Sequence, residues 1–270
     1  MLPRLVATDL DGTIVRADGT VSDRTISALR GLSSAGIHIV FATGRPPRWL
    51  YPVVKATGLN GPAVCSNGAQ IYDPATRKIL VEEVLDEAQA MEIAKDLRSQ
   101  FKICDFAVEI GLTFGHEPTF APQWEAPPGS TIAPIDQLLE LPVVKLMAYC
   151  PSIAPDKLLR EATFIVGDRA TVTRSIGISL IEISKRGISK ATSLAHLAET
   201  LSVRADEVLA FGDQTNDAPM LKWAGRSVAV ENAHQDAKSC ADEVTLSVED
   251  DGVAITIEEI LRYHPGAHKL

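Results

Sequence analysis

Short apolar runs alternate with amphipathic stretches at both ends of this chain, and each run stops at a small polar cluster. Residues 5–9 read as a buried strand. Ser22 caps a helix whose core-facing stripe is Ile26, Leu29 and Leu32 and whose stop is Gly36. Ile37–Ala42 reads as a second strand, Pro46-Pro47 as the start of a further helix, and Ala63–Cys65 as a third strand. The rhythm resumes where Ser189 caps a helix with the stripe Leu194, Leu197, Ala198 and Leu201. A strand at 208–211, a helix at 219–224, a strand at 227–230 and a last helix at 252–263 follow, with 266–270 as a loose tail. Strand and helix in strict alternation predict a parallel sheet with helices on its faces.

The middle of the chain reads differently. After a strand at 78–84 and a helix at 86–100, short runs at 103–108, 112–115, 143–150, 164–166 and 178–183 lack long helical crossovers. They predict a mixed or antiparallel sheet. A proline-rich stretch from Pro118 through Pro122, Pro127 and Pro128 to Pro134 reads as an irregular loop. The expected fold is α/β: a Rossmann-like doubly wound parallel-sheet core from residues 1–83 and 186–270, with an inserted α+β domain over 84–185.

A net charge of −9 argues against nucleic acid or an anionic membrane as partner, because both need a basic face. The cysteines Cys65, Cys104, Cys150 and Cys240 are scattered, with no Cys-x-x-Cys pair. That predicts reduced thiols in a cytoplasmic protein, not a zinc site. The start of the sequence carries no basic segment followed by an apolar one, and no apolar run approaches a membrane span. The histidines form no site: His38 and His196 read as structural, His116 and His234 lie in loops, and His264 and His268 lie in the tail.

Chemistry gathers at the strand ends. Asp9 and Asp11 follow the first strand, Thr43 the second, and Asp213, Asn216 and Asp217 a late one. In doubly wound sheets, ligands bind beyond the carboxyl ends of the strands. Two carboxylates so close repel each other, and a divalent cation removes that objection. Such a pair can supply a nucleophile and a proton-transfer group. Asp9 would attack phosphorus, and Asp11 would protonate the leaving alcohol and then deprotonate water. Lys190, in the first turn of the helix leading to the Asp213 strand, is a compact cation suited to phosphate, with Lys185 as its competitor. The bland readings are a strand-end pair capping amides for Asp9 and Asp11, a turn threonine, a solvated lysine, and N-caps for Asp213 and Asp217.

Asp9-Leu10-Asp11-Gly12-Thr13, Phe41-Ala42-Thr43-Gly44-Arg45, Lys190 and Gly212-Asp213-Gln214-Thr215-Asn216-Asp217 resemble, in order, the four motifs of the haloacid dehalogenase superfamily. The insertion, and Ser66-Asn67-Gly68-Ala69, resemble the C2 cap and third-strand motif of its Cof-type (subclass IIB) phosphatases. The resemblance implies a Mg²⁺-dependent phosphatase of small phosphorylated metabolites such as sugar phosphates or phosphorylated cofactors, with an aspartyl-phosphate intermediate. It implies Asp9, Asp11, Thr43 and Lys190 as catalytic residues. Gly12, Thr43, Gly44, Arg45, Asn67, Lys190 and Asn216 would contact substrate or phosphate. The metal site would comprise Asp9, Asp213 and Asp11 through its backbone carbonyl, with Asp217 joining them directly or through water. Alternatives are a phosphomutase, a non-catalytic metabolite binder and, further off, a dehalogenase. Trp124 faces the substrate or packs the inserted domain, and the chain is a monomer or homodimer. Gln214 departs from the small residue common at that position, and the inserted domain is compact.

Overall fold

The computed structural model describes residues 2–120, 125–175 and 177–263. Pro122, Trp124, His264, His268 and the 266–270 tail lie outside the described residues. Along the chain run β1 (Leu5–Thr8), α1 (Asp23–Ser34), β2 (His38–Phe41), α2 (Tyr51–Thr57), β3 (Ala63–Cys65), β4 (Gln70–Asp73) and β5 (Lys78–Glu82). Next come α3 (Glu87–Gln100), β6 (Asp105–Ile110), β7 (Thr113–His116), β8 (Thr131–Ile132), α4 (Ile135–Leu138), β9 (Val143–Tyr149), α5 (Pro155–Val166), β10 (Ala170–Arg174) and β11 (Leu180–Lys185). The last are α6 (Lys190–Thr200), β12 (Val208–Gly212), α7 (Ala218–Trp223), β13 (Arg226–Ala229), α8 (Gln235–Lys238), β14 (Glu243–Val244) and α9 (Gly252–Arg262). The chain forms two compact units, one from 1–80 with 189–270 and one from 81–188. Among the described residues no helix is long and apolar enough to cross a membrane.

The first unit is built on a parallel sheet in the order β14-β13-β12-β1-β2. Every side chain of β1 is buried, as a strand covered on both faces requires. Leu5 lies between Val208 and His38, so β1 is central and its end is flanked by the ends of β12 and β2. Ser22 caps α1 by accepting from the Thr25 amide, and Ala28, Leu29 and Leu32 are buried, while Ile26 is only half-buried. Ser189 and Thr192 form a reciprocal capping box at the start of α6.

The second unit holds the mixed sheet β10-β11-β9-β6-β7-β8, antiparallel except between β7 and β8. Phe106, Val108, Leu146, Ala148, Ile181 and Ile183 point to one face and pack on Ile93, Leu97, Leu158 and Ala162 of α3 and α5.

Three sequence expectations are corrected. Residues 164–166 are the last turn of α5, not a strand. Leu158, Ala162 and Val166 are buried at helical spacing while Phe164 is 88% exposed, a period that three adjacent apolar residues cannot reveal. The strand of that region, β10, begins four residues later. Ala63–Cys65 does not extend the parallel sheet as a full strand. It pairs antiparallel with β4 in the small sheet β3-β4-β5 and meets the residue after β2 through one parallel bridge, Ala42 to Val64. Ser66, Asn67 and Gly68 all take positive φ and turn the chain back on itself. The helix expected from Pro46 opens as a 3₁₀ turn over Pro47–Trp49 before α2 begins.

Candidate active site

Asp9 is the first residue after β1, Thr43 stands two residues past β2, and Asp213 is the first after β12. Because these strands are adjacent and parallel, residues some 200 apart in sequence meet at one sheet edge: Thr13 Oγ1 donates to Asp213 Oδ1 at 3.1 Å. Asp9, Asp213, Asp217, Lys190 and Thr43 are all at most 5% exposed.

Lys190 is the hub. Its Nζ donates to Asp9 Oδ1 at 2.5 Å and to Asp217 Oδ1 at 2.6 Å. The position comes from α6, whose first turn rests on the Ser66–Gly68 turn: Ser193 Oγ donates to the Gly68 carbonyl at 2.6 Å. The competing Lys185 lies half-exposed in the second unit, paired with Glu83 at 2.6 Å.

Asp217 accepts three hydrogen bonds. Its Oδ2 accepts the backbone amides of Asp213 at 3.0 Å and Gln214 at 2.8 Å, and its Oδ1 accepts Lys190. The side chain therefore shapes the loop after β12 and holds the lysine. Asp213 accepts Thr13 on one oxygen and Gln214 Nε2, at 2.9 Å, on the other. Asp9 Oδ2 accepts no hydrogen bond from the described residues. Thr13 and Gln214 are site residues that sequence reasoning had not assigned a role, although both lie inside the motifs.

The electrostatics are strained. Burial pushes the Asp9 carboxyl well above its ordinary range, Lys190 opposes this, and Asp217 and Asp213 add to it. Burial, then Asp217, raise Asp213 to about 6, with Gln214, Lys190 and Thr13 pulling the other way. Burial works against the Lys190 charge, but Asp217 and Asp9 outweigh it and hold the ammonium protonated.

Three carboxylates, those of Asp9, Asp213 and Asp217, bring an oxygen each within 4.8 Å of one another. With one ammonium among them, negative charge is in excess, and the donors are all hard oxygens. That donor set suits a small divalent cation. Gly12, at φ +83°, brings the chain against this cluster, and a Cβ there would sit 2.5 Å from Asp213 Oδ2.

The remaining candidates form two smaller groups. Arg45 grips Asp11, its Nε donating to Oδ2 at 2.8 Å and its Nη2 to Oδ1 at 2.5 Å, and Asp11 in turn holds the guanidinium charged. The Asp11 carboxylate thus stands apart from the buried triad. Asn216 Nδ2 donates to Asn67 Oδ1 at 2.9 Å, and a Cβ on Gly44 would lie 3.0 Å from that same oxygen. Ser66 and Asn67 hold left-handed backbone in succession, a strained arrangement typical of functional turns. Thr43 ties the groups together: its Oγ1 accepts the Arg45 amide at 3.1 Å and its carbonyl accepts the Asn67 amide at 3.0 Å.

A central strand thus ends in a carboxylate held by a buried lysine, with a second acidic loop beside it. Residues 6–257 match the haloacid dehalogenase-like hydrolases. The chain belongs to that family. It is 27% identical to phosphatase YwpJ of Bacillus subtilis, covering 96% of this chain and 100% of that one. It is 26% identical to the pyridoxal phosphate phosphatase YbhA of Escherichia coli, covering 94% of this chain and 97% of that one. Among solved structures it resembles the subclass IIB sugar phosphatase BT4131, with a TM-score of 0.80 over 95% of this chain and 98% of that one. At 18% identity that likeness is one of fold.

Proposed function

We propose that this chain is a cytoplasmic, Mg²⁺-dependent phosphatase of small phosphorylated metabolites, working through an aspartyl phosphate on Asp9. The observation that carries the reading is Lys190 held between Asp9 and Asp217 at the carboxyl edge of the parallel sheet. A buried lysine fixing one oxygen of a carboxylate leaves the other, Oδ2, as an oriented nucleophile.

In the first step a bond forms from Asp9 to phosphorus, the ester P–O bond breaks, and Asp11 gives its proton to the departing alkoxide. In the second, Asp11 takes a proton from water, which attacks phosphorus and releases phosphate and free Asp9. Both Asp11 oxygens accept from Arg45 at rest, so proton transfer requires this pair to open. Lys190, the Thr43 hydroxyl and the Asn67–Asn216 amides supply donors for the phosphoryl oxygens. Asp9, Asp213 and the Asp11 carbonyl would hold Mg²⁺, which when bound offsets the charge of the phosphoryl group and of the carboxylates. Asp217, which holds two amides and the lysine, would position Asp213 and Lys190. The inserted unit, taken as a cap, would select the leaving group.

The test is phosphate release from a panel of phosphorylated metabolites, with and without Mg²⁺, beside Asp9→Asn. Release that needs Mg²⁺ and is lost in the variant supports the reading. Absence of release from a broad panel by folded protein overturns it, and transfer back to substrate in the presence of a bisphosphate would make the chain a mutase instead.

A further inference from the structure

Gln214 follows Asp213 in the last motif, and its side chain has a defined partner. Its Nε2 donates to Asp213 Oδ2 at 2.9 Å, while its own backbone amide donates to Asp217 Oδ2 at 2.8 Å. One residue thus ties two of the three buried carboxylates together. On the far side of Asp213, Thr13 Oγ1 donates to Oδ1 at 3.1 Å. We propose that Gln214 is a positioning residue for a divalent cation: its amide, opposite the Thr13 hydroxyl, locks the Asp213 carboxylate in the orientation that takes the ion. This rests on the reading of Asp9 and Asp213 as cation ligands.

The physical case is one of pre-organisation. The terminal torsion of an aspartate is broad, so a carboxylate without donors samples many orientations. Donors on both oxygens remove that freedom, because any rotation loses one bond or the other. Each carboxylate oxygen has two acceptor directions, so one donor per oxygen still leaves room for an ion. A Cβ at Gly12 would lie only 2.5 Å from Oδ2, so the glycine keeps this side of the carboxylate clear. A small side chain at 214 would leave Oδ2 without this donor, and the ion would then have to order the carboxylate itself. Groups that orient a ligand in this way change cation affinity about 10- to 100-fold. The geometry therefore sets the sign: Gln214 tightens binding.

The test uses Mn²⁺ as a paramagnetic probe, titrated against the full chain without substrate and followed by the loss of the free-ion resonance. Wild type is compared with Gln214→Met, which keeps the length but not the amide, and with Gln214→Ser. The dissociation constant should rise about 10-fold or more in both variants. In steady state the half-saturating Mg²⁺ concentration should rise by more than kcat falls. Melting of the metal-free proteins, expected to stay within a few degrees of wild type, separates a lost donor from a damaged fold. A dissociation constant within about twofold of wild type, or a tighter one, overturns the assignment to Gln214. Wild type that binds no Mn²⁺ overturns the cation reading itself and this inference with it, so the two failures are told apart.

Discussion

Arg45 and Asp11 form a two-pronged ion pair in which both carboxylate oxygens are taken, although the Asp11 side chain is 48% exposed. An exposed pair of this kind contributes at most about 1 kcal/mol to stability. Arg45→Met should therefore lower the unfolding free energy by no more than that, as read from denaturant melts. A larger loss would show that the pair serves the fold and not the handling of Asp11.

Asp11→Asn separates leaving groups. An alkyl phosphate needs its alkoxide protonated, so its kcat should fall by about 10²- to 10⁴-fold. A nitrophenyl phosphate, whose leaving group is stable without a proton, should lose far less in the aspartyl-phosphate step. Equal losses of kcat/KM on the two substrates, which report the aspartyl-phosphate step alone, would remove Asp11 from the acid role.

Lys190 sits between two buried carboxylates, with 1% of its side chain exposed. Lys190→Met leaves both without their cation and should cost about 3–5 kcal/mol in metal-free protein. Excess Mg²⁺ should restore part of that loss. Differential melting with EDTA or Mg²⁺ checks both statements.

The raised Asp213 carboxyl gives a pH dependence whose sign is set. Folded protein, with this group at about 6 against an ordinary 3.8, holds the proton more tightly than unfolded chain. The Asp213 contribution is therefore present at low pH and is lost as pH rises through that window, levelling off above it. Melting in EDTA should show this decline for wild type relative to Asp213→Asn. A cation displaces the same proton, so Mg²⁺ affinity should weaken below about pH 6.

In the second unit, Lys145 is 2% exposed, stands opposite Glu109 in the register of β6 and β9, and pairs with Glu182 at 3.0 Å. Lys145→Met alone should destabilise the second unit, because it removes the buried ammonium that pairs with Glu182. Adding Glu182→Gln should recover much of the loss, and a double-mutant cycle measures the coupling. Strictly additive losses would show that the two side chains do not act as a pair.

Much of the core was legible without coordinates. A buried parallel strand is a short apolar run, and adjacent parallel strands bring their carboxyl ends to one edge, so β1, β2 and β12 and the residues after them could be read from pattern. The choice of Lys190 over Lys185 followed the same logic, from the helix that feeds β12. Where the chain reverses through positive φ at Ser66, Asn67 and Gly68, pattern reading extended the parallel sheet too far. Where only three apolar residues showed, at 164–166, it mistook a helix end for a strand.

The sequence by itself determined the α/β class, the split of the core around an insertion, and which residues gather at the sheet edge. Only the tertiary structure decided how their side chains divide the work: Arg45 on Asp11, Asp217 on two amides and a lysine, Gln214 and Thr13 on Asp213. Periodicity and strand order constrain where a residue's backbone lies. The partner of a side chain depends on rotamers and distances between segments up to 200 residues apart, as with Thr13 and Asp213, and no local pattern encodes those.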